Sequence, residues 1–282
     1  MDLMAEIEDC VARFRAGEAE VARVFFSTPR PLEQHVRWLK EQVSRERRNL
    51  REISAGELTE QVDQVDRGFS REDIVAELRE HYYETRHYAM LADVLEGISG
   101  FAVDWKTLGT DPADSDWSVS KHQNGAEQKH RQEWSAISPL HGAAGSFNSG
   151  GGGCVAYGVI GLEGGIYEEL LSETGKIIIH DEMAHGGVLG RHPLYELVKT
   201  EEDAKIALEI IREYSTIRVK GRNFQFGFPL SEDRVEEIVR GEIEPLTHDI
   251  LQKVYADAID EEEWFDRYRA APKPLSSATV LR

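Results

Sequence analysis

Apolar residues recur three or four positions apart through most of this chain, which is the period of an amphipathic α-helix. Residues 2–26 place Ile7, Val11, Phe14 and Val21 on one face. Pro29 and Pro31 end that segment, because the residue before a proline is pushed out of the helical region, and a short leading helix is predicted. From Leu32 onward, Val36, Leu39, Val43, Leu50 and Ile53 fall on one stripe and predict a second helix. The polar run SAGELTEQVDQVDRGF reads either as its continuation or as a loop. Ser70 with Asp73 then forms a capping signal for a third helix, from about 71 to 98. On its helical wheel Glu77, Glu80, Glu84, His87, Leu91, Leu95 and Ile98 share a face, so acids lie on the stripe that should be buried.

The segment from Ser99 to Pro139 is polar, with Trp105, Trp117 and Trp134 scattered through it and one short helix predicted around 127–137. Glycines concentrate in HGAAGSFNSGGGGCVAYGVIGLEGGIYEELLSETGK, yet Val155, Val159, Leu162, Ile166 and Leu170 keep helical spacing. Each glycine there weakens the helix by up to about 1 kcal/mol relative to alanine, which blurs where it starts. After a break near Thr174 and Gly175, Ile178, Ile179, Glu182, His185 and Leu189 line one side of a further helix, which Pro193 closes. Another is predicted over about 201–217, with Ile206, Ile210, Glu213 and Ile217 on one stripe. Two more are predicted near 234–240 and 248–268, before a loose tail, APKPLSSATVLR. Only NFQFGF at 223–228 alternates in the manner of a strand. The pattern predicts an all-α chain folded as a single α-helical domain over 1–282, with its bundle at about 32–190 and C-terminal helices at about 200–270 packed on it.

Composition narrows the function. A hydrophobic content of 40% in 282 residues is enough for a substantial core. A formal net charge of −19 argues against binding nucleic acid or an anionic membrane, because phosphates are held by clustered Lys and Arg. The two cysteines, Cys10 and Cys154, are too few for a disulfide framework, and a cytoplasmic location is expected. The N-terminal residues lack the pattern of a signal peptide, and no run approaches the roughly 18 apolar residues needed to span a bilayer.

The chemistry is carried by Glu-x-x-His pairs. Residues i and i+3 lie on one helical face, so a carboxylate and an imidazole from each of two helices can converge on metal between them. Chance alone produces about one such pair in a chain like this, and three occur: Glu84/His87, Glu127/His130 and Glu182/His185. Glu127/His130 sits among Gln123, Lys129, Arg131 and Gln132 and reads as a surface pair. The other two lie within apolar helical stripes, where an acid needs a partner. The glycine run is not a phosphate-binding loop, since no Gly-Lys-Ser/Thr follows it and no strand precedes it.

On Glu84-x-x-His87, on Asp181-Glu182-x-x-His185, and on a carboxylate-bearing helix ahead of the first pair, the chain resembles the ferritin-like superfamily over roughly residues 32–190. The D-E-x-x-H form and the wide separation of the two motifs are similar to the di-iron carboxylate oxygenases of that superfamily. The resemblance implies a four-helix bundle core with additional helices. Its two metal ions would be held by a Glu from each of two helices and a Glu-x-x-His from each of the other two. Glu46 is the candidate on the first helix, three residues beyond Val43 and four before Leu50, with Glu52 as the alternative. For the glycine-rich helix the chain departs from the family, because SFNSGGGG stands where an acid is expected. Glu163 shares a stripe with Val159, Ile166 and Leu170 and is the choice there, with Glu168, Glu213 and His141 as alternatives.

The expected ligand set is therefore Glu46, Glu84, His87, Glu163, Glu182 and His185. Asp181, His180, Tyr83 and Tyr88 are expected around it. Carboxylates and imidazoles suit iron, with manganese as an alternative, and two iron ions are the implied cofactor. The resemblance implies an oxidoreductase that activates dioxygen to oxidise a small organic substrate by hydroxylation, N-oxygenation or desaturation. An external electron donor is implied as well, and a homodimer is compatible with it. The rival readings are a mononuclear iron enzyme on a related helical scaffold and a non-catalytic ferritin-like metal-binding protein.

Overall fold

A computed structural model describes residues 3–52, 71–100, 133–148, 178, 192–247 and, near the C-terminus, 249, 250, 253 and 256. Among the described residues every regular element is helical and no strand occurs, so the fold class is all-α. The elements are α1 (Leu3–Phe26), α2 (Leu32–Glu52), α3 (Arg71–Ser99), α4 (Pro139–Phe147), α5 (Leu194–Leu197), α6 (Glu201–Gln225) and α7 (Glu232–Val239). Residues 133–137 form a further helical turn. The chain divides into two compact units, one of Met1–Pro31 with Ser115–Arg267 and one of Leu32–Asp114 with Tyr268–Arg282.

In the first unit α1 packs along α6, α4 packs on α6, and α7 packs on both. Helix α1 buries Ile7, Val11, Phe14 and Val21, as its spacing predicts, together with Phe25 and Phe26. Phe25 and Phe26 meet Phe226 with ring centroids 4.9 and 6.0 Å apart, in the edge-on and tilted geometries that aromatic quadrupoles favour. Two glycines permit close approach. A Cβ on Gly17 of α1 would fall 2.4 Å from Cγ2 of Ile238 on α7, and one on Gly145 of α4 would fall 2.7 Å from the Trp134 indole.

This unit also buries charge. Glu18 of α1 accepts two hydrogen bonds from Arg218 of α6, at 3.1 and 3.3 Å, and lies 3.7 Å from the Arg222 guanidinium. Arg15 is buried too, and loss of solvent pulls its guanidinium down to about 10 despite the attraction of Glu18. At the rim Arg234 makes a two-pronged pair with Glu20, at 2.7 and 2.8 Å.

Helix α6 departs from its sequence reading in length and in face. It runs to Gln225, past the predicted 217, and buries Ala204, Ala207, Leu208, Ile210, Ile211, Tyr214, Ser215 and Val219. Of the predicted stripe only Ile210 is buried, and Glu213 is exposed. The small residues Ala204 and Ala207, which a hydrophobicity pattern underweights, face the neighbouring helices instead. NFQFGF is not a strand: its first three residues close α6 and the remainder turns. The Asn223 side chain bonds both the N–H and the C=O of Leu230, at 3.0 and 3.1 Å, and this clamps the turn back on the helix end. Phe228 within that turn is exposed at a φ of 60°.

In the second unit α2 packs against α3. Trp38, Leu39 and Val43 of α2, and Met90, Leu91, Val94, Leu95 and Ile98 of α3, are buried at 3.6-residue spacing. Burying each such aliphatic side chain contributes about 1.5–3 kcal/mol before the entropy of ordering is set against it. Helix α2 is polar in composition, yet Glu41, Gln42, Ser44 and Glu46 are also buried, while Lys40 is exposed. The amphipathic reading did not anticipate this.

The predicted helices around 155–170 and 178–189 lie outside the described residues, apart from Ile178, which is helical and buried. Most of the predicted 248–268 helix and the tail also lie outside them.

Candidate metal centre

Helix α2 brings Glu46 to the interface with α3, where Glu84 and His87 stand one turn apart on one face. One ligand atom from each of the three lies within 4.8 Å of the others. Among the described residues this is the group of His, Cys, Asp and Glu side chains spaced to hold a metal ion. Glu46 is 8% exposed and His87 1%, whereas Glu84 is partly open. The setting is a helix pair that buries polar side chains, Gln42 and Arg86 among them, next to the apolar Val43 and Leu91.

Two ionised carboxylates at this separation repel. Coulomb's law at an effective dielectric constant of about 20 makes the mutual cost about 3.5 kcal/mol at 4.8 Å, the outer limit of their spacing. A divalent cation between them reverses the sign of that interaction. Donor atoms about 2.1 Å from a common first-row ion are at most about 4.2 Å apart, so the observed cluster needs only small side-chain adjustment to take one. The donors are two oxygens and one nitrogen, a set suited to iron or manganese rather than to soft, thiolate-binding metals.

The cluster has a support that the sequence reading missed. Gln42, one turn before Glu46 on α2, donates from Nε2 to Oε1 of Glu46, and both side chains are buried. Its signal in the sequence was its i, i+4 spacing to Glu46 on the apolar stripe. Beside His87 on α3, the buried Arg86 guanidinium lies over the rings of Tyr82 and Tyr83, 5.6 and 5.2 Å from their centroids. Tyr83 thus takes part in a cation–π stack.

The other candidate residues divide plainly. Glu163, Glu168, His180, Asp181, Glu182 and His185 lie outside the described residues, as does the Glu127/His130 pair. Glu213 is exposed on α6. His141 is engaged at the start of α4, where its Nδ1 lies 2.8 Å from Oγ of Ser138, the residue that caps the helix. Glu52 is the last residue of α2.

One Ser–His contact in the first unit invites a nucleophile reading that its hydrogen bonds exclude. His192 Nδ1 accepts from the Leu194 N–H at 3.2 Å, so in the neutral ring the proton sits on Nε2, which faces Oγ of Ser146 at 3.1 Å. That nitrogen donates and has no lone pair with which to take the serine proton. The pair is a clamp between α4 and the turn ahead of α5.

No protein-family model, no curated protein and no solved structure matches the chain. Among the described residues no helix is long and apolar enough to cross a membrane.

Proposed function

We propose that the chain is a ferritin-like, non-haem dimetal oxidoreductase that uses dioxygen to oxidise a small organic substrate. The observation that carries this reading is the convergence of Glu46, Glu84 and His87 from two separate helices on one spot, with Glu46 and His87 buried. A carboxylate from one helix and a Glu-x-x-His from the next is half of the ligand pattern of a di-iron bundle. The resemblance in sequence implies Glu182-x-x-His185 and Glu163, which lie outside the described residues, as the other half. The metals, iron in this reading, supply the redox chemistry toward dioxygen, with electrons from an external donor. The chain's own residues hold the ions by two carboxylates and an imidazole on this side. Leu91, Leu95 and the apolar levels beside them keep water away.

A second reading draws on the same cluster. Three donors from two helices are enough for a single ion, which makes a mononuclear iron enzyme, or a binding protein without catalysis, the alternative.

Anaerobic loading with Fe(II), followed by counting iron per chain and exposure to oxygen, separates the readings. Two ions and an oxygen-dependent absorbance change support the dimetal enzyme. One ion supports the mononuclear form, and metal uptake without an optical change supports binding alone. Full iron content in both Glu84→Ala and His87→Ala, with no optical response in the unaltered protein, overturns the proposal.

A further inference from the structure

We propose that His192 is a proton-operated latch. Neutral, it holds the first residues of α5 to the end of α4; protonated, it keeps its hold on α4 and releases α5. The latch is independent of the metal centre and rests on the hydrogen bonds of one ring.

His192 stands in the turn ahead of α5, and both of its nitrogens are engaged. Nδ1 accepts from the Leu194 N–H at 3.2 Å, and Nε2 faces Oγ of Ser146 at 3.1 Å. The Leu194 N–H belongs to the first turn of α5, where a helix offers its own N–H groups no acceptor. Leu194 is fully buried, so water does not reach that N–H in place of the ring. In the neutral ring the proton is on Nε2, and a second proton must therefore go to Nδ1. There it turns the acceptor of the Leu194 N–H into a donor, so that two N–H groups oppose each other and a buried N–H loses its partner. The Nε2–H is unchanged and still donates to Ser146, whose hydroxyl is itself anchored on the Ala143 C=O at 3.1 Å. One side of the latch holds and the other opens. What opens is the packing of α5 on α4, including the contact of the Tyr195 and Phe147 rings at 5.7 Å.

The titratable and charged groups on the surrounding elements are His141 of α4, Tyr195 and Glu196 of α5, and Glu8 and Arg15 of α1, which act on Tyr195. None of them shifts His192, whose pKa is lowered by loss of solvent. Released from α5, the ring regains solvent and takes a proton near its ordinary 6.5, so acid favours the open form.

Hydrogen exchange by mass spectrometry between about pH 7.5 and 5.5, corrected for the pH dependence of amide chemistry itself, tests the latch in the unaltered chain and in His192→Asn. An Asn side chain accepts from the N–H two residues on, as Nδ1 does here, but takes no proton in this range. In the unaltered chain the protection of residues 194–198 should fall by up to about tenfold by pH 5.5, at tenfold for each unit below 6.5. In His192→Asn it should not vary with pH. A change below about twofold in the unaltered chain, or an equal fall in both, overturns the proposal. Low urea should leave the exchange of 194–198 at acid pH unaltered, because little surface opens. If urea speeds it as much as it speeds the slowest amides of α1 and α6, the opening is global and the proposal falls. Imidazole nitrogen chemical shifts of the unaltered chain add a check that needs no variant to fold. Nδ1 should be the unprotonated nitrogen at neutral pH, and a proton found on it there overturns the proposal.

Discussion

Removing the carboxylate of Glu18 should be among the most damaging single changes in the first unit. Its side chain is 1% exposed, and the two guanidiniums against it, Arg218 and Arg222, are 10% and 4% exposed. Glu18→Ala withdraws a two-pronged charge-assisted hydrogen bond from Arg218, at 3.1 and 3.3 Å, and an ion pair at 3.7 Å from Arg222. Breaking a buried ion pair from one side destabilises by about 3–5 kcal/mol, because the partner charge stays behind in a poor solvent. Arg15 makes matters worse, since its guanidinium, already drawn down to about 10, loses the attraction of Glu18 and keeps the repulsion of Arg218. Glu18→Gln keeps the shape and an acceptor and should cost about half as much, about 1.5–3 kcal/mol. Because the chain has two units, a single melting temperature is a poor measure. Native-state hydrogen exchange by mass spectrometry is better, as it reads opening helix by helix. The slowest amides of α1 and α6 should exchange about two to four orders of magnitude faster in Glu18→Ala, at roughly tenfold for each 1.4 kcal/mol. Acceleration below tenfold would show that the buried charges are relieved elsewhere and refute the reasoning.

Gly17→Ala and Gly145→Ala each add a methyl where the nearest side-chain atoms stand 2.4 and 2.7 Å away. The gain in helix propensity of about 1 kcal/mol should be outweighed by overpacking of about 1–3 kcal/mol, and urea titration should show both less stable. Burial lowers the pKa of His192 below its ordinary 6.5. Below pH about 6.5 the unfolded state therefore binds the proton that the folded state resists, and this contribution to stability falls as pH drops toward the folded pKa. His192→Gln should flatten that part of a stability-versus-pH curve, and an unchanged curve would exclude His192 as its source. Fe(II) held at 100 times its Kd under anaerobic conditions should stabilise the protein by about 2.7 kcal/mol. A chelator should remove the effect, and His87→Ala should never show it; equal stabilisation of that variant would count against His87 as a ligand.

Periodicity located the long helices because their burial is one-sided enough to leave a 3.6-residue signature. The apolar spacing of 2–26 became α1, the stripe from Leu32 became α2, and the bounds of α3 and α7 fall within a few residues of expectation. Glu46 was legible by the same logic, since it stands on the apolar stripe where Glu52 does not. What escaped was information that periodicity does not hold. Alanine carries little hydrophobic signal, so the face of α6 was assigned to Ile206, Ile210 and Ile217, while Ala204 and Ala207 share the buried face with Leu208, Ile210 and Ile211. Phe224, Phe226 and Phe228 alternate like a strand, but Asn223 bonds to the Leu230 backbone across the turn, a tertiary fact no window of apolar spacing contains. The burial of Glu18 and of Gln42 has the same character. A polar side chain enters the interior only when a partner is waiting, and for Glu18 that partner is 200 residues away in sequence.

The discontinuity of the first unit sets a timetable for synthesis. Helix α1 buries Phe14, Val21 and Phe25 in a unit where it packs along α6, which ends at Gln225, so this packing partner is completed about 200 residues later. At 5–20 residues per second the interval is on the order of 10–40 seconds. Helices α2 and α3 are finished early in that interval, by Ser99, and can pair while α1 still shows its phenylalanines to the surroundings. The apolar face of α1 is therefore made before α2 and α3 and shielded only once α6 is complete. A chaperone that holds α1 during translation should raise the yield of folded protein more than one that acts on the released chain.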